Sequence, residues 1–213
     1  MKKEISFKVI TIGDAGVGKT SIIRRFIYNT FNTNTMSTIG VSFSMKEITL
    51  KNGVKVNMKL IDTAGQEKYR SLSKSYFKNT DGVLFVFDLN NLDSFKNISE
   101  WVELYKQNNC GKGIPIYLIG NKSDLEIKVE QKLIDDFIKE QNFKYEAVSA
   151  LSNLNIELLF QDLAENIYKD FKISDQKTMQ LKSGDTSKKK NPVLFVSSKM
   201  IYHKLIFKNK YFG

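Results

Sequence analysis

The alternation of apolar and polar residues along the chain predicts six β-strands. Apolar, β-branched and aromatic residues are concentrated in six short runs, at positions 7–12, 43–50, 54–61, 83–89, 116–119 and 143–148. Between the second and third runs, Asn52 and Gly53 supply a pair of residues that tolerate positive φ, as a tight hairpin turn requires. We therefore expect the second and third strands to be antiparallel neighbours.

Several of the segments between these runs show the periodicity of helices. Residues 21–28 are typical of a helix, residues 93–109 begin with the N-cap candidate Asp93, and residues 154–171 form a third helical pattern. The apolar stripes of the last two comprise Phe95, Ile98, Trp101, Val102 and Tyr105, and Leu158, Leu159, Leu163 and Ile167. Strands alternating with helices predict a doubly wound α/β fold: a six-stranded, mostly parallel sheet with one antiparallel strand and helices on both faces. Its ligand is expected beyond the carboxyl ends of the strands.

Length and composition limit the number of domains. The 213 residues, 41% of them hydrophobic, are enough for one sizeable core. Periodicity ends after residue 171, so we predict a domain over residues 1–171 and a basic, disordered tail over 172–213. The single cysteine, Cys110, excludes an intrachain disulfide and indicates a reducing compartment. Charges interrupt every apolar run before about 18 residues, so we expect neither a signal peptide nor a transmembrane segment.

The net charge of +10 is unevenly distributed. From residue 171 onward there are ten lysines and two aspartates, which places eight of the ten net positive charges in the tail. A nearly neutral domain argues against nucleic acid as a partner of the folded part. The basic tail is instead expected to contact an acidic surface.

The stretch GDAGVGKT, at positions 13–20, follows the first predicted strand and fits the pattern G-x-x-x-x-G-K-[ST]. Its small residues allow successive backbone N–H groups to face a phosphate chain, and the following helix adds its dipole. Lys19 is expected to bridge the β- and γ-phosphates, and the Thr20 hydroxyl to bind Mg²⁺. The predicted phosphate-binding residues are Asp14, Ala15, Gly16, Val17, Gly18, Lys19, Thr20 and Ser21.

Further residues predict a magnesium site and a hydrolytic reaction. Asp62, at the end of the third predicted strand in DTAGQ, is placed to hold the Mg²⁺ shell through a water, and Thr38 supplies a second hydroxyl. The Gly65 N–H is expected to contact the γ-phosphate, and the Gln66 amide to orient a water for in-line attack. Gln66 and Lys19 are therefore the predicted catalytic residues. A loop held only through metal and γ-phosphate is released on hydrolysis, which predicts a switch.

Two loops after the last strands predict recognition of guanine. In NKSD, the Asp124 carboxylate is suited to accept hydrogen bonds from guanine N1–H and N2–H₂. Asn121 is expected to brace the loops, the Lys122 stem to lie along the ring, and Phe31 to pack on its other side. A backbone N–H for guanine O6 is expected after the sixth strand, from Ser149, Ala150 and Leu151.

Over about residues 7–171 the chain resembles the Ras superfamily of small GTPases and, within it, the Rab family. The Rab character comes from TIGVSF, DTAGQEKYRSL and SYFKNTDGVLFVFDL, at 38–43, 62–72 and 75–89. The resemblance implies a P-loop GTPase fold and a switch that binds GTP or GDP with Mg²⁺ and slowly hydrolyses GTP. It also implies a role in vesicle and membrane trafficking. The implied partners are a guanine nucleotide exchange factor, a GTPase-activating protein and effectors.

The effector surface departs from the family pattern. Ile61 stands where the family usually has Trp, so the cluster that Rab proteins show to effectors is here predicted to be Phe43, Ile61 and Tyr76. The full predicted effector surface is Ile39, Val41, Phe43, Ile61 and Tyr76.

The phosphate loop departs from the Ras pattern at Ala15, where Ras has glycine, and a methyl group there is expected to crowd an incoming catalytic residue. Together with Ile61 it motivates an alternative function, a nucleotide-bound scaffold that binds effectors but scarcely cycles. An ATP-dependent kinase or motor is a third alternative, which Asp124 argues against.

The tail departs from Rab proteins because no cysteine follows Cys110, so we expect this polypeptide not to be prenylated. Two explanations stay open. The tail is either a non-native extension from an alternative last coding segment or a membrane-binding segment in which lysines are interleaved with apolar residues. Both predict a largely cytoplasmic protein whose peripheral contact with anionic endomembranes is at most salt-sensitive.

Overall fold

The structure, a computed structural model, describes residues 4–33, 38, 40–63, 76–108 and 113–183, with side chains described to residue 174. The strands are β1 (Ile5–Ile12), β2 (Val41–Thr49), β3 (Lys55–Thr63), β4 (Gly82–Asp88), β5 (Ile116–Asn121) and β6 (Lys144–Ala147). The described helices are α1 (Lys19–Tyr28), α2 (Leu92–Lys96), α3 (Ile98–Asn108), α4 (Gln131–Gln141) and α5 (Ile156–Ser183). The chain divides into two units, residues 1–174 and 175–213.

The six strands form one sheet in the order β2-β3-β1-β4-β5-β6. Only β2 and β3 are antiparallel, whereas β1 pairs in parallel with β3 and β4, and β5 pairs in parallel with β4 and β6. The predicted α/β fold, with a mostly parallel sheet and one antiparallel strand, is confirmed. Because parallel strands end at the same edge, the carboxyl ends of β1, β3, β4, β5 and β6 all lie at one edge of the sheet.

Successive residues of the central strand β1 enter opposite cores, as the twofold period of a strand requires. Val9 packs in a cluster with Ile22 of α1 and Leu163 of α5. Its neighbour Ile10 packs in the other cluster, with Trp101 of α3. Helices therefore cover both faces of the sheet and hold its carboxyl edge in a fixed position.

The β2–β3 hairpin is present, but its turn differs from the prediction. Only Gly53 has positive φ, at 79°, whereas Asn52 does not. The Gly53 N–H donates to the Leu50 carbonyl and the Leu50 N–H to the Val54 carbonyl, each at 2.8 Å. This pattern closes a three-residue loop in which a single left-handed glycine suffices.

The structure has two helices where the sequence predicted one helical pattern over residues 93–109. Asn91 is the N-cap, because its Oδ1 accepts from the N–H groups of Asp93 and Ser94 at 3.0 and 3.3 Å. The prediction of Asp93 as cap was wrong, and Asp93 instead lies in the first turn, where its charge complements the helix dipole. Asn97 separates α2 from α3. The predicted apolar stripe, from Phe95 to Tyr105, is buried.

The last helix differs in one stripe position and in length. Leu159, Leu163 and Ile167 are buried as predicted, but 68% of Leu158 is exposed. The buried stripe uses Ile156 and Leu159, three residues apart, which turns Leu158 to the outer side. The helix continues past residue 171 to Ser183. A domain boundary at 171 stays a prediction.

Candidate functional site

A cavity of about 400 Å³ opens beyond the carboxyl ends of the strands. Four loops and the first turn of α1 line it. Predicted site residues on its wall are Ala15, Gly16, Gly18, Lys19, Thr20, Ser21, Phe31, Thr38, Lys122, Asp124, Ala150 and Leu151. Four residues that were not predicted as site residues also line it: Asn32, Thr33, Thr63 and Leu125. The volume is in the range of small-molecule sites.

One end of the cavity, the phosphate end, is formed by residues 13–20 between β1 and α1. Gly18 has φ of 98°, and a Cβ there would lie 2.2 Å from the Asn121 side-chain nitrogen. At Gly13 a Cβ would lie 2.1 Å from the Val86 carbonyl oxygen. Glycine is therefore required at both positions. In the described part of the chain no side chain caps α1 and its first turn holds no acidic residue, so its N–H groups form an anion site.

Lys19 is buried at this end, with 5% of its surface exposed. Its Nζ donates to the carbonyls of Gly13 at 2.9 Å and Asp14 at 2.6 Å. Burial lowers the pKa of Lys19 to about 8, against the opposing charges of Asp62 and Asp14. A negative ligand beside the ammonium favours its charged form, so anion binding and protonation of Lys19 support each other.

The Asp14 side chain does not face the cavity, although the sequence placed this residue among the phosphate-binding ones. Its Oδ2 accepts from Asn97 Nδ2 and its Oδ1 from the Trp101 indole N–H, each at 2.7 Å. Asp14 therefore anchors the phosphate end to α3, and only its backbone belongs to the cradle. Trp101 is a core residue, as expected, with the added role of this donor.

The opposite end of the cavity, the base end, is formed by residues 121–125 and 149–151. Buried Asn121 joins it to the phosphate end, because its Nδ2 donates to the Val17 carbonyl at 2.8 Å and its Oδ1 accepts from the Ala150 N–H at 3.2 Å. Asn121 and Val17 lie behind the cavity wall rather than on it. The arrangement matches the bracing predicted for Asn121.

Asp124 and Lys122 of the base end are held by residues from other segments. Asp124 Oδ1 accepts from the Ser149 hydroxyl at 2.5 Å. Lys122 adopts φ of 64°, and its Nζ lies 2.6 Å from Asp88 Oδ2 at the end of β4. Asp88 Oδ1 also accepts from the Asn90 N–H at 2.9 Å. Lys122, with its ammonium held by Asp88, lines the cavity.

Comparison with known proteins gives a consistent result. The Ras family model matches residues 8–169. Ras-related protein Rab-13 of Rattus norvegicus is 34% identical over 195 residues, which cover 91% of this chain and 92% of the relative. Ras-related protein Rab-10 of Diplobatis ommata is 37% identical over 166 residues, covering 77% and 82%. The chain belongs to the Rab family of the Ras superfamily.

A third relative agrees: Ras-related protein Rab-11B of Dictyostelium discoideum is 36% identical over 176 residues, covering 82% of this chain and 78% of the relative. As a Rab protein the chain is a small GTPase, a switch in membrane trafficking that binds GTP or GDP with Mg²⁺. Exchange factors, GTPase-activating proteins and effectors are its kinds of partner. Within the described residues, no helix is long and apolar enough to cross a membrane.

The side chains proposed for Mg²⁺ converge at the phosphate end. The Thr20 hydroxyl donates to Asp62 Oδ2 at 2.6 Å and lies 2.8 Å from the Thr38 hydroxyl. Burial raises the pKa of Asp62, opposed by the Thr20 hydrogen bond and the charges of Lys19 and Arg24. Its Oδ1 is buried and has no hydrogen-bond partner among the described residues. Two hydroxyls and an unpaired carboxylate oxygen suit a hard cation such as Mg²⁺.

The predicted effector surface of the Rab protein is only partly exposed. Phe43 is 63% exposed, and its ring meets that of Tyr76 edge-on at 5.5 Å. Ile61 pairs with Phe43 across the β2–β3 ladder but is only 2% exposed, which corrects its assignment to the surface. It lies in the core, and half-buried Val41 and Tyr76 pack against the same cluster.

Three predicted residues, Ile39, Gly65 and Gln66, lie outside the described residues. Their assigned contacts with effectors, γ-phosphate and attacking water stay predictions.

Sequence reasoning also missed residues that hold the site without lining it. Asp88 fixes Lys122, Asn97 fixes Asp14, and Arg25 donates to the carbonyls of Ala150 and Leu151. The available signal for Asp88 was an acidic residue ending an otherwise apolar strand. No sequence signal indicated the roles of Asn97 and Arg25, since their partners are far away in the sequence.

Proposed function

We propose that the cavity binds GTP with its triphosphate at the phosphate end and its guanine at the base end. The observation that carries the proposal is the convergence of Thr20, Thr38 and the unpaired Oδ1 of Asp62 beside the uncapped start of α1. Such a site offers a position for a cation next to a position for an anion, as a Mg²⁺-bound triphosphate requires. Thr20 and Thr38 are the proposed direct ligands of Mg²⁺, and Asp62 holds it through a water.

At the base end we propose that Asp124 accepts from guanine N1–H and N2–H₂, while Phe31 and the Lys122 stem pack on the two faces of the ring. All three residues line the cavity. A backbone N–H of the 149–151 stretch donates to O6. Adenine lacks the donor pair that Asp124 reads, so the site favours GTP over ATP.

For hydrolysis, we propose that Gln66 orients a water in line with the γ-phosphorus. The water oxygen forms the new bond, the bond from the γ-phosphorus to the β,γ-bridging oxygen breaks, and the water proton leaves with phosphate. Lys19 neutralises charge on the β- and γ-oxygens, and bound Mg²⁺ supplies further charge stabilisation. The unassisted rate constant is expected at about 10⁻⁴ to 10⁻³ s⁻¹, rising steeply with an activating protein.

Single-turnover hydrolysis of GTP distinguishes this hydrolytic switch from the alternative function, a nucleotide-bound scaffold that binds effectors but scarcely cycles. Ala15, a residue that motivates the scaffold, lines the cavity. Slow hydrolysis that is lost in Gln66→Leu supports the cycling switch. No hydrolysis under any condition, with activating proteins added, supports the scaffold, and many unassisted turnovers per second contradict both.

We propose that the switch consists of residues 33–40 and 65–72, in which Thr38 and Gly65 contact the γ-phosphate. Segments tied mainly through the γ-phosphate are released on hydrolysis. Hydrogen exchange in the GDP state should therefore exceed that with a non-hydrolysable GTP analogue in these two segments and match it in β1, β4 and β5. Identical exchange in all segments contradicts the switch.

We propose that residues 1–171 form the GTPase domain, while the basic tail, residues 172–213, makes only weak contact with anionic endomembranes and leaves the protein largely cytoplasmic. Ten lysines from residue 171 onward support an electrostatic attraction that salt screens. Flotation with phosphatidylserine vesicles should show binding at low salt that disappears at about 1 M salt and on truncation after Ser187. Salt-resistant attachment contradicts this interpretation.

A further inference from the structure

Arg25, in the last turn of α1, is joined to the base end by two hydrogen bonds. Its Nε donates to the Ala150 carbonyl and its Nη2 to the Leu151 carbonyl, each at 2.9 Å. A third bond, from Nη1 to the Asn29 carbonyl at 2.9 Å, fixes the guanidinium to its own helix. Arg25 itself does not line the cavity, whereas Ala150 and Leu151 do.

The planar guanidinium presents its N–H groups as a rigid fork, and here two of them grip consecutive carbonyls. A trans peptide group is planar, with its C=O and N–H pointing to opposite sides. The Ala150 carbonyl and the Leu151 N–H belong to the same peptide group. Holding this carbonyl therefore also orients the Leu151 N–H, which points away from Arg25. A lysine ammonium at position 25 would keep the charge but not this paired geometry.

We propose that Arg25 is a positioning residue for recognition of the guanine 6-oxygen. By gripping the carbonyls of Ala150 and Leu151 it aims the Leu151 N–H at O6, without touching the nucleotide. The N–H groups of Ser149 and Ala150 already donate to the Leu154 carbonyl and to Asn121 Oδ1. The inference rests on the proposed function, binding of a guanine nucleotide in the cavity. It separates two elements of base specificity: Asp124 reads the 1- and 2-positions of guanine, and Arg25 controls the 6-position through the backbone.

A purely structural role for Arg25 predicts a different result. Arg25 also holds the end of α1, because its Nη1 donates to the carbonyl of the C-cap residue Asn29 at 2.9 Å. Loss of a helix cap lowers stability, and a general loosening weakens every nucleotide alike. Only the proposed role changes the preference between bases that differ at the 6-position.

The experiment measures binding of three diphosphates to wild type, Arg25→Met and Arg25→Lys by competition with a fluorescent GDP. The first is GDP. The second is 6-thio-GDP, which keeps N1–H and the 2-amino group but replaces O6 by sulfur, a weaker acceptor. The third is inosine diphosphate, which keeps O6 and N1–H but lacks the 2-amino group. Exposed Arg24 provides the matched control Arg24→Met on the same helix, and thermal unfolding is followed for all variants.

In Arg25→Met we expect GDP to bind about three- to tenfold more weakly, and the preference for GDP over 6-thio-GDP to fall by at least about threefold. The preference for GDP over inosine diphosphate should be unchanged. Arg25→Lys should lose at least half of the preference for GDP over 6-thio-GDP, with a smaller effect on thermal unfolding. If Arg25→Met does not fold, Arg25→Lys still tests the inference. Arg24→Met should keep both preferences.

Unchanged preference for GDP over 6-thio-GDP in the Arg25 variants, whatever their stability, overturns the inference and leaves Arg25 as a helix cap. Equal loss of both preferences also overturns it, because the effect would then not be confined to the 6-position. Wild-type protein that does not prefer GDP to ADP overturns the proposed function itself, and the inference with it.

Discussion

The phosphate end and the base end of the cavity are assembled in different ways. At the phosphate end, Lys19 bonds the Gly13 carbonyl, only six positions away in the sequence. At the base end, Arg25 bonds the Ala150 carbonyl 125 positions away. The phosphate cradle of the first end is formed by one short stretch and the helix that follows it, and only its metal ligands Thr38 and Asp62 come from other segments. The second end exists only when several loops of the folded sheet meet.

This difference determines how each end responds to substitution. A local cradle of backbone N–H groups depends on few side chains, so its sensitive positions are the glycines, Lys19 and the metal ligands. The base end relies on side chains that brace other loops, such as Asn121 to Val17 and Ser149 to Asp124. Mutations at residues that never touch the nucleotide should therefore affect the base end more often than the phosphate end.

The largest effect is expected for Asp124→Ala, which removes the proposed base reader and leaves the phosphate end intact. A site that hydrogen-bonds its ligand rejects an analogue strongly, so we expect GDP affinity to fall by at least about 100-fold and the preference over ADP to disappear. Competition binding with GDP and ADP measures both. Exposed Asp93→Ala is the charge-matched control. An unchanged preference would show that guanine is read elsewhere.

Thr20→Asn tests the phosphate end, because it removes the hydroxyl bonded to Asp62. We expect GTP affinity to fall about tenfold or more and GDP affinity to fall less, since the metal bridges β- and γ-oxygens only in the triphosphate. Titration with each nucleotide at several Mg²⁺ concentrations measures the effect. The control is Thr49→Asn, at an exposed threonine of β2. Equal losses for both nucleotides would contradict the metal role.

Asn97→Ala tests whether the phosphate end is as local as its sequence suggests. The substitution removes one of the two bonds that tie Asp14 to the start of α3. Removing a hydrogen bond to a charged group should raise the GDP dissociation rate about five- to tenfold. Asn108→Ala is the control, because among the described residues that amide bonds the Leu104 carbonyl within its own helix. Equal dissociation rates for the two variants would mean that the phosphate end needs no distant anchor.

A smaller effect is expected for Ser149→Ala, which removes the hydroxyl bonded to Asp124 at 2.5 Å. GDP affinity should fall about threefold to fivefold, with the loss concentrated in discrimination against inosine diphosphate. Ser123→Ala, in the loop of Asp124, is the control, since the buried Ser123 hydroxyl has no hydrogen-bond partner among the described residues. If both serine variants bind GDP equally, the contact does not orient Asp124.

The smallest effect is expected at Asp162, which lies at neither end of the cavity. Burial raises the pKa of Asp162, but hydrogen bonds from Tyr117 and Lys144 outweigh burial and leave it below its usual value. Its contribution to stability is therefore present above the unfolded pKa of about 4 and is lost as the pH falls through the lower folded pKa. After discounting for solvent screening, Asp162→Asn should cost less than about 1 kcal/mol at pH 7.

Denaturant unfolding of wild type and Asp162→Asn at pH 7 and pH 3 measures this contribution. The difference between the two proteins should shrink at the lower pH, while GDP binding at pH 7 stays unchanged. A difference that grows on acidification would contradict the assigned direction of the pKa.

The strands were predictable because each is a compact apolar run, and their observed bounds differ from the predicted runs by at most two residues at either end. Helix α4 was not predicted, although Ile134, Phe137 and Ile138 recur at helical spacing and pack in the same core cluster. The position of Leu158 was misjudged because Leu158 and Leu159 are adjacent and equally apolar. Which of the two faces the core depends on how α5 packs against the sheet.

By itself, the sequence determined the phosphate loop, the hairpin, the strand set and the family, because each depends on neighbours in the chain: glycines that allow positive φ, a lysine and a threonine at fixed spacing, and apolar runs. Only the tertiary structure decided which distant residues support these elements. It turned the Asp14 side chain toward α3, buried Ile61 beneath Phe43 and brought Arg25 to the carbonyls of Ala150 and Leu151. Those contacts join residues far apart in the chain, and no local pattern encodes them.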